Sequence, residues 1–340
     1  MPAENYITLH LKKCTIQKEV FELEWLTFAL LGTIFFSVAG VLDKLMLSSY
    51  TDDSNAYIVC QVLASQLFTI PVFLIVGANF VYPQSLIALL FGSLQVFPSF
   101  FYMKALKIEE TSKVTALEYV YPLFVFIGSV LLLGEVLELK HCVGGLLLLV
   151  GTILISYKKS GSDSNGLYSK CSNSNSSNSK LFLSALSPAI KPFLSYWVLT
   201  AAYYLSLKYL LISIDGWNLY LWSSLGSLMV VLPLMAIRSM RSEVKKIFSQ
   251  GSLAVGALIS EETFQFLGII FSIFAYAIGS VTLVSSIGAL QPIMTVFLIL
   301  GLGILMPKLA KAMNEKTDWS SLKQKGISFL VVAVGIYFMS

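Results

Sequence analysis

Stretches of about 20 apolar residues recur along the whole of this 340-residue chain, and that recurrence dictates its solvent. A bilayer hydrocarbon core about 30 Å thick takes about 20 apolar residues of helix to cross. Runs of that kind predict spans over residues 25–47, 56–78, 84–106, 112–133 and 141–157, then over 192–213, 217–237, 252–278, 281–305 and 324–339. The runs are continuous, without the alternation of a membrane barrel, which selects helices. Only 12% of the residues are charged against 56% hydrophobic, too few to cover a water-soluble globule. The expected fold class is all-α integral membrane with ten transmembrane helices.

Two polar segments interrupt the pattern. Residues 1–24 mix Lys12, Lys13 and Lys18 with Glu4, Glu19, Glu22 and Glu24 and contain no apolar stretch of signal-peptide length. They are expected to form a polar tail. Residues 158–180 read KKSGSDSNGLYSKCSNSNSSNSK. A run so rich in Ser, Asn and Gly buries nothing, and the segment 158–191 is expected to be a flexible tether. It separates a first unit, 25–157, from a second, 192–340.

The two units echo each other. The first span ends DKLMLSS at Asp43 to Ser49, and the sixth ends LKYLLIS at Leu207 to Ser213. Pro71 and Pro233 fall in the latter halves of the second and seventh spans. The fourth span carries Pro122 and the ninth Pro292, with Ala105 and Ala275 at equal distances before them. The fifth and tenth spans share a glycine-interrupted aliphatic run. Such internal repetition sets the architecture. Five spans per unit is an odd number, so the second unit enters the bilayer from the opposite side. The two units are then inverted repeats, the geometry of alternating-access carriers.

The run from Ala105 to Ser156 carries a resemblance. An alanine-containing helix end, a short turn, a proline-bearing fourth helix, LLLGE at Leu131 to Glu135 and a glycine-rich fifth helix resemble the end of an EamA-like domain of the drug/metabolite transporter superfamily. The likeness extends over 25–156 and 192–340, with GLGILMPK at Gly301 to Lys308 where the GE pair would stand. It implies a ten-helix carrier of small metabolites, with the plasma (inner) membrane its expected place and both termini cytoplasmic. It leaves the cargo open, because the superfamily moves amino acids, sugars, nucleotide sugars and drugs. Charge counting disagrees on orientation. Lys and Arg concentrate after odd-numbered spans, as at Arg238, Arg241, Lys245 and Lys246, while the other side holds only Lys12, Lys13, Lys18 and Lys140. The positive-inside rule puts both termini outside.

Ionisable residues inside spans are costly and are the first candidates for function. Glu118 precedes Pro122 by one turn, with Tyr119 and Tyr121 beside it. A proline frees a backbone carbonyl and loosens the helix, so Glu118 is placed to carry a proton or hold a cationic group. The alternative is a carboxyl wetted by headgroups. Glu261 and Glu262 sit together in the eighth span, about 100° apart on a helix, so one of them is expected to face the interior. Lys44 and Lys208 hold matching places in the first and sixth spans. They read either as a pair for an anionic substrate or, more simply, as lysines snorkelling to the interface, with Asp43 a local partner for Lys44. Tyr196, Trp197, Tyr203 and Tyr204 read either as the lining of a cavity or, the expectation preferred, as part of an interfacial belt. Gln291, beside Pro292, corresponds to Tyr121 and is a candidate polar wall.

Other chemistry finds little purchase. No GxxxxGK[ST] run points to nucleotide hydrolysis. Cys14, Cys60, Cys142 and Cys171 lack metal spacing, and His10 and His141 complete neither a zinc site nor a catalytic constellation. No enzyme activity, cofactor, metal or nucleic-acid partner is expected. Lipid and a small molecule are the expected partners, and a homodimer is allowed for. The function expected is a secondary transporter of a small metabolite or drug, proton coupling included. The alternatives are a non-transporting scaffold or receptor, or a lipid-linked sugar flippase.

Overall fold

The structure, a computed structural model, describes residues 3–108, 111–118, 120–134, 190–305 and 319–339, with isolated positions between 140 and 154. The regular elements of the described residues are all helices, with no strand among them. In chain order they form α1 (Ala3–Ser49), α2 (Ser54–Val76), α3 (Gln84–Ile108), α4 (Thr111–Glu118), α5 (Tyr121–Gly128), α6 (Ile190–Leu210), α7 (Gly216–Ala236), α8 (Arg238–Phe248), α9 (Ser252–Ile278), α10 (Val281–Gly288), α11 (Gln291–Leu305) and α12 (Trp319–Met339). A π-helical turn, Ser129–Leu133, continues α5.

Among the described residues, six helical stretches are long and apolar enough to cross a membrane: Glu24–Ser49, Ser54–Val76, Gln84–Lys107, Gly216–Ala236, Ser252–Ile278 and Val281–Ile304. Leu74, Ile75, Leu131, Ile212, Leu253 and Ile304 are exposed on the outside of the bundle, where a bilayer supplies the apolar contact that water does not. Most of the expected fifth span and all but the end of the tether lie outside the described residues. The last two tether positions already belong to α6. The expected polar tail is helical from Ala3, continuous with the first span.

Local signals explain the helix boundaries. Asp53 caps α2 by accepting from the backbone N–H groups of Asn55 and Ala56 at 2.9 and 3.2 Å. Asp215 does the same for α7, accepting from Trp217 and Asn218 at 3.0 and 3.1 Å. A side-chain carboxylate at this position satisfies donors that have no partner within the helix. The fourth span breaks between α4 and α5, just before Pro122. The ninth breaks between α10 and α11, just before Pro292.

Small residues let the helices close. α1 lies along α9, and α3 packs on both α6 and α7. A β-carbon on Gly226 of α7 would meet the Leu89 carbonyl of α3 at 2.0 Å, and one on Gly92 would meet the Ser223 carbonyl at 2.1 Å. Ser93 Oγ donates to the Gly226 carbonyl at 2.8 Å. Close backbone approach through glycine, with a hydroxyl bond alongside, is how helices associate where lipid offers no hydrophobic drive. α8 departs from the spanning pattern. Its Arg238, Arg241, Lys245 and Lys246 are exposed while Val244 and Ile247 are buried, as in a helix lying at an interface.

Candidate functional site

A cavity of about 270 Å³ lies between helices that precede residue 134 and helices that follow residue 190. Its wall comes from α1, α2, α3 and α4 on one side and from α6, α7, α9 and α11 on the other. The volume equals about nine waters of liquid, the scale of a small organic molecule.

Three carboxyl-bearing residues line it: Asp43, Glu118 and Glu262. Asp43 is 5% exposed, and its Oδ1 accepts from the Tyr57 hydroxyl at 2.9 Å and the Gln61 amide at 2.8 Å. Glu118 Oε1 accepts from the Tyr196 hydroxyl at 2.8 Å. Its Oε2 is buried without a hydrogen-bond partner among the described residues. Glu262 is 4% exposed and Glu261 fully buried. Neither oxygen of Glu261 has a donor in hydrogen-bonding geometry among the described residues. Asp43, Glu261 and Glu262 stand close enough to repel one another when charged, and Glu118 feels Asp43 in the same way. No Lys, Arg or His is among the lining residues.

The helix break supplies the setting of Glu118. The Val120 N–H reaches the Leu117 carbonyl only at 3.4 Å, and the Trp197 indole N–H binds that carbonyl at 2.7 Å. A side chain from α6 thus occupies the carbonyl that the interrupted helix leaves short of a partner.

Of the residues singled out in the sequence, Glu118, Glu262 and Gln291 line the cavity, while Glu261, Tyr121, Lys44 and Lys208 do not. Gln291 is 4% exposed, and its carbonyl accepts from Ser37 Oγ at 3.5 Å. Tyr121 stands behind the wall, stacked on Tyr204 with centroids 5.0 Å apart. The lysines take up helix ends. Lys44 Nζ donates to the Leu106 carbonyl at 2.5 Å, near the end of α3. Lys208 Nζ donates to the Tyr276 and Gly279 carbonyls at 2.8 and 2.7 Å, at the end of α9. Cations there satisfy terminal carbonyls and complement the negative end of the helix dipole. These bonds run into the bundle, so the snorkelling expected for lysines near a helix end gives way to capping.

Two expectations change in detail. Tyr196, Tyr203 and Tyr204 line the cavity, where an interfacial belt was expected for them. The α6 segment reads as aromatic on several sides, so sequence alone does not tell which face turns inward. Asp43, read as a partner for Lys44, turns to Tyr57 and Gln61. The signal was present, since Asp43 is itself an ionisable residue within a span, but an adjacent lysine offered a simpler partner.

Comparison with known proteins gives three findings. Residues 23–157 match the EamA-like transporter family. No curated protein matches the chain. A solved crystal structure shares the fold with a TM-score of 0.56 at 16% identity, the superposition covering 92% of this chain and 96% of that one. Together with six apolar membrane-length helices, the family match makes the chain an integral membrane protein. Residues 23–157 are thus similar to the EamA-like transporter family, in keeping with the drug/metabolite transporter superfamily that the fourth and fifth spans resemble.

Proposed function

We propose that the protein is a secondary, ATP-independent transporter of a small metabolite or drug. In this reading it has ten transmembrane helices in two inverted five-helix repeats, works by alternating access, and couples to protons through its buried carboxyls. The observation that carries the proposal is the cavity walled by both units and lined by Asp43, Glu118 and Glu262. Intramembrane carboxyls are expensive, which is why their convergence on one cavity supports a functional role.

Paired details support the repeat. Lys44 binds the carbonyl one residue after Ala105, and Lys208 binds the carbonyl one residue after Ala275. The capping residues Asp53 and Asp215 stand at equal distances before Pro71 and Pro233. α4 packs against α11 and α5 against α10, the crossing expected of two broken helices running antiparallel. Beyond the six apolar spans, α6 and α12 each have 21 residues, about 31 Å of helix. The Gln324 amide of α12 binds the Leu154 carbonyl at 2.7 Å, which supports a fifth span beside the tenth.

Reconstitution into liposomes tests the proposal. A carrier gives saturable, substrate-dependent flux driven by a pH gradient, whereas a scaffold gives none. Glu118→Gln and Glu262→Gln keep the side-chain shape and remove the titrating group. At least a tenfold loss of pH-driven flux is expected in each, a general acid–base role being worth about 10²–10⁴-fold. Undiminished coupling in both variants would remove the carboxyls from the mechanism.

A further inference from the structure

We infer that the cavity selects an organic cation, an ammonium-bearing molecule whose charged head is held by carboxylates and tyrosine faces. The inference deepens the carrier reading and rests on it.

Charge comes first. Asp43, Glu118 and Glu262 face one space that no cationic side chain lines among the described residues. Lys44, next to Asp43 in sequence, donates to the Leu106 carbonyl, and Lys208 donates at the far end of α9. Several carboxylates in one low-dielectric cavity repel one another and favour any cation, proton or ligand, that neutralises them. Glu262 is nine-tenths buried and lines the cavity, and the partnerless Glu118 oxygen leaves acceptor capacity there. Among the described lining residues, an anion entering this space would find no opposite charge.

The aromatic wall comes second and is independent of the first. Tyr196, Tyr203, Tyr204 and Tyr220 line the same cavity. Tyr204 is the hub of a ring cluster, with centroids 5.0 Å from Tyr121, 5.4 Å from Tyr203 and 5.2 Å from Tyr276. Tyrosine faces carry negative potential, and aromatic cages recognise quaternary ammonium groups in this way. Acid and tyrosine together suit a head that is charged, poorly hydrated and apolar at its surface. A strongly hydrated inorganic ion would gain little from the rings.

Protons compete with such a ligand. The titratable groups around the cavity are Asp43 on α1, Tyr102 on α3, Glu118 on α4, the tyrosines of α6, Tyr220 on α7 and Glu262 on α9. Tyr57 of α2 is bound to Asp43, Glu261 stands behind Glu262, and α11 offers the uncharged Gln291. Acidification protonates carboxylates and so weakens cation binding. Alkalinisation strengthens it until the carboxyls are ionised.

The test uses the purified full chain and ligands that keep their charge at every pH. Thermal unfolding is followed with choline and phenyltrimethylammonium, with 3,3-dimethylbutanol as the neutral isostere of choline, and with succinate and sodium ion. The two quaternary cations should raise the unfolding midpoint, and the other three should not. Affinity for the cations should fall about tenfold per pH unit on acidification wherever one carboxyl exchanges its proton for the ligand. Glu118→Gln should lower that affinity about tenfold and flatten the pH dependence. The wild-type pH series stands even if the variant does not fold.

Equal stabilisation by the alcohol, by succinate or by sodium overturns the organic-cation assignment, as does cation binding that acid leaves unchanged. Flux of a different solute in liposomes would then keep the carrier reading alone. Cation binding without flux would keep the site and overturn the carrier. Neither binding nor flux overturns both.

Discussion

Lys44 and Lys208 show how one side-chain type can invite two chemical readings. From the sequence they read either as a pair of ammonium groups suited to an anion or, more simply, as lysines snorkelling to the interface. In the structure each donates to a carbonyl near a helix end. Lys44→Met should therefore destabilise the protein by about 1–3 kcal/mol, the cost of leaving a buried acceptor without its charged donor. Thermal unfolding checks this, and ligand selectivity should be unchanged in the same variant. Buried carboxyls were legible as costly residues in apolar runs, which is how Glu118, Glu261 and Glu262 were found. Which of two neighbours faces a cavity was not legible, because rotation of a helix about its axis is set by packing partners that are distant in sequence. Asp43 illustrates the point: its partners Tyr57 and Gln61 lie on the next helix.

Among the elements, the glycine crossing and the two helix breaks carry the sharpest expectations. Gly226→Leu would force a branched side chain against the Leu89 carbonyl of α3. Overpacking of this kind costs about 1–3 kcal/mol, so the unfolding midpoint should fall and the yield of folded protein with it. Gly256, with open space where its β-carbon would stand, should accept alanine without loss. Pro122→Ala tests the break between α4 and α5. Restoring the missing N–H allows the span to close into one helix, which competes with the Trp197 indole for backbone carbonyls and shifts Glu118. Flux should fall at least tenfold while folding stability is kept or rises, as read from paired transport and unfolding curves. The long apolar spans and their prolines were plain from hydropathy and residue type. The amphipathic α8 was read as a basic loop, since its two buried residues, Val244 and Ile247, are too few to outweigh Arg238, Arg241, Lys245 and Lys246 in composition.

Among the described residues, the helices before residue 134 pack mainly on the helices after residue 190. α1 lies on α9, α3 on α6 and α7, and α2 on α7, with Thr69 Oγ1 2.7 Å from Ser224 Oγ across the last pair. A protease site placed within the Ser/Asn-rich run 158–180 should therefore be cut without separating the two parts of the chain, and size-exclusion chromatography in mild detergent should show them co-eluting. The expected division of the chain rests on a run of serine and asparagine that cannot form a core. The closeness of the two halves was not legible, since no sequence pattern encodes which faces of two membrane units meet.

α8 makes the halves unequal. The turn from α2 to α3 is short, whereas the turn from α7 to α9 carries an eleven-residue amphipathic helix. Its far end reaches the α1–α2 turn, where the Gln250 amide donates to the Tyr50 carbonyl at 2.9 Å. Two identical halves would leave a carrier indifferent to which side it faces, with equal occupancy of both orientations in the absence of any gradient. A clasp on one end alone adds free energy to one orientation only. In a carrier of the proposed kind its kinetic signature is asymmetry: entry and exit half-saturate at different solute concentrations, and deletion of the clasp draws the two values together.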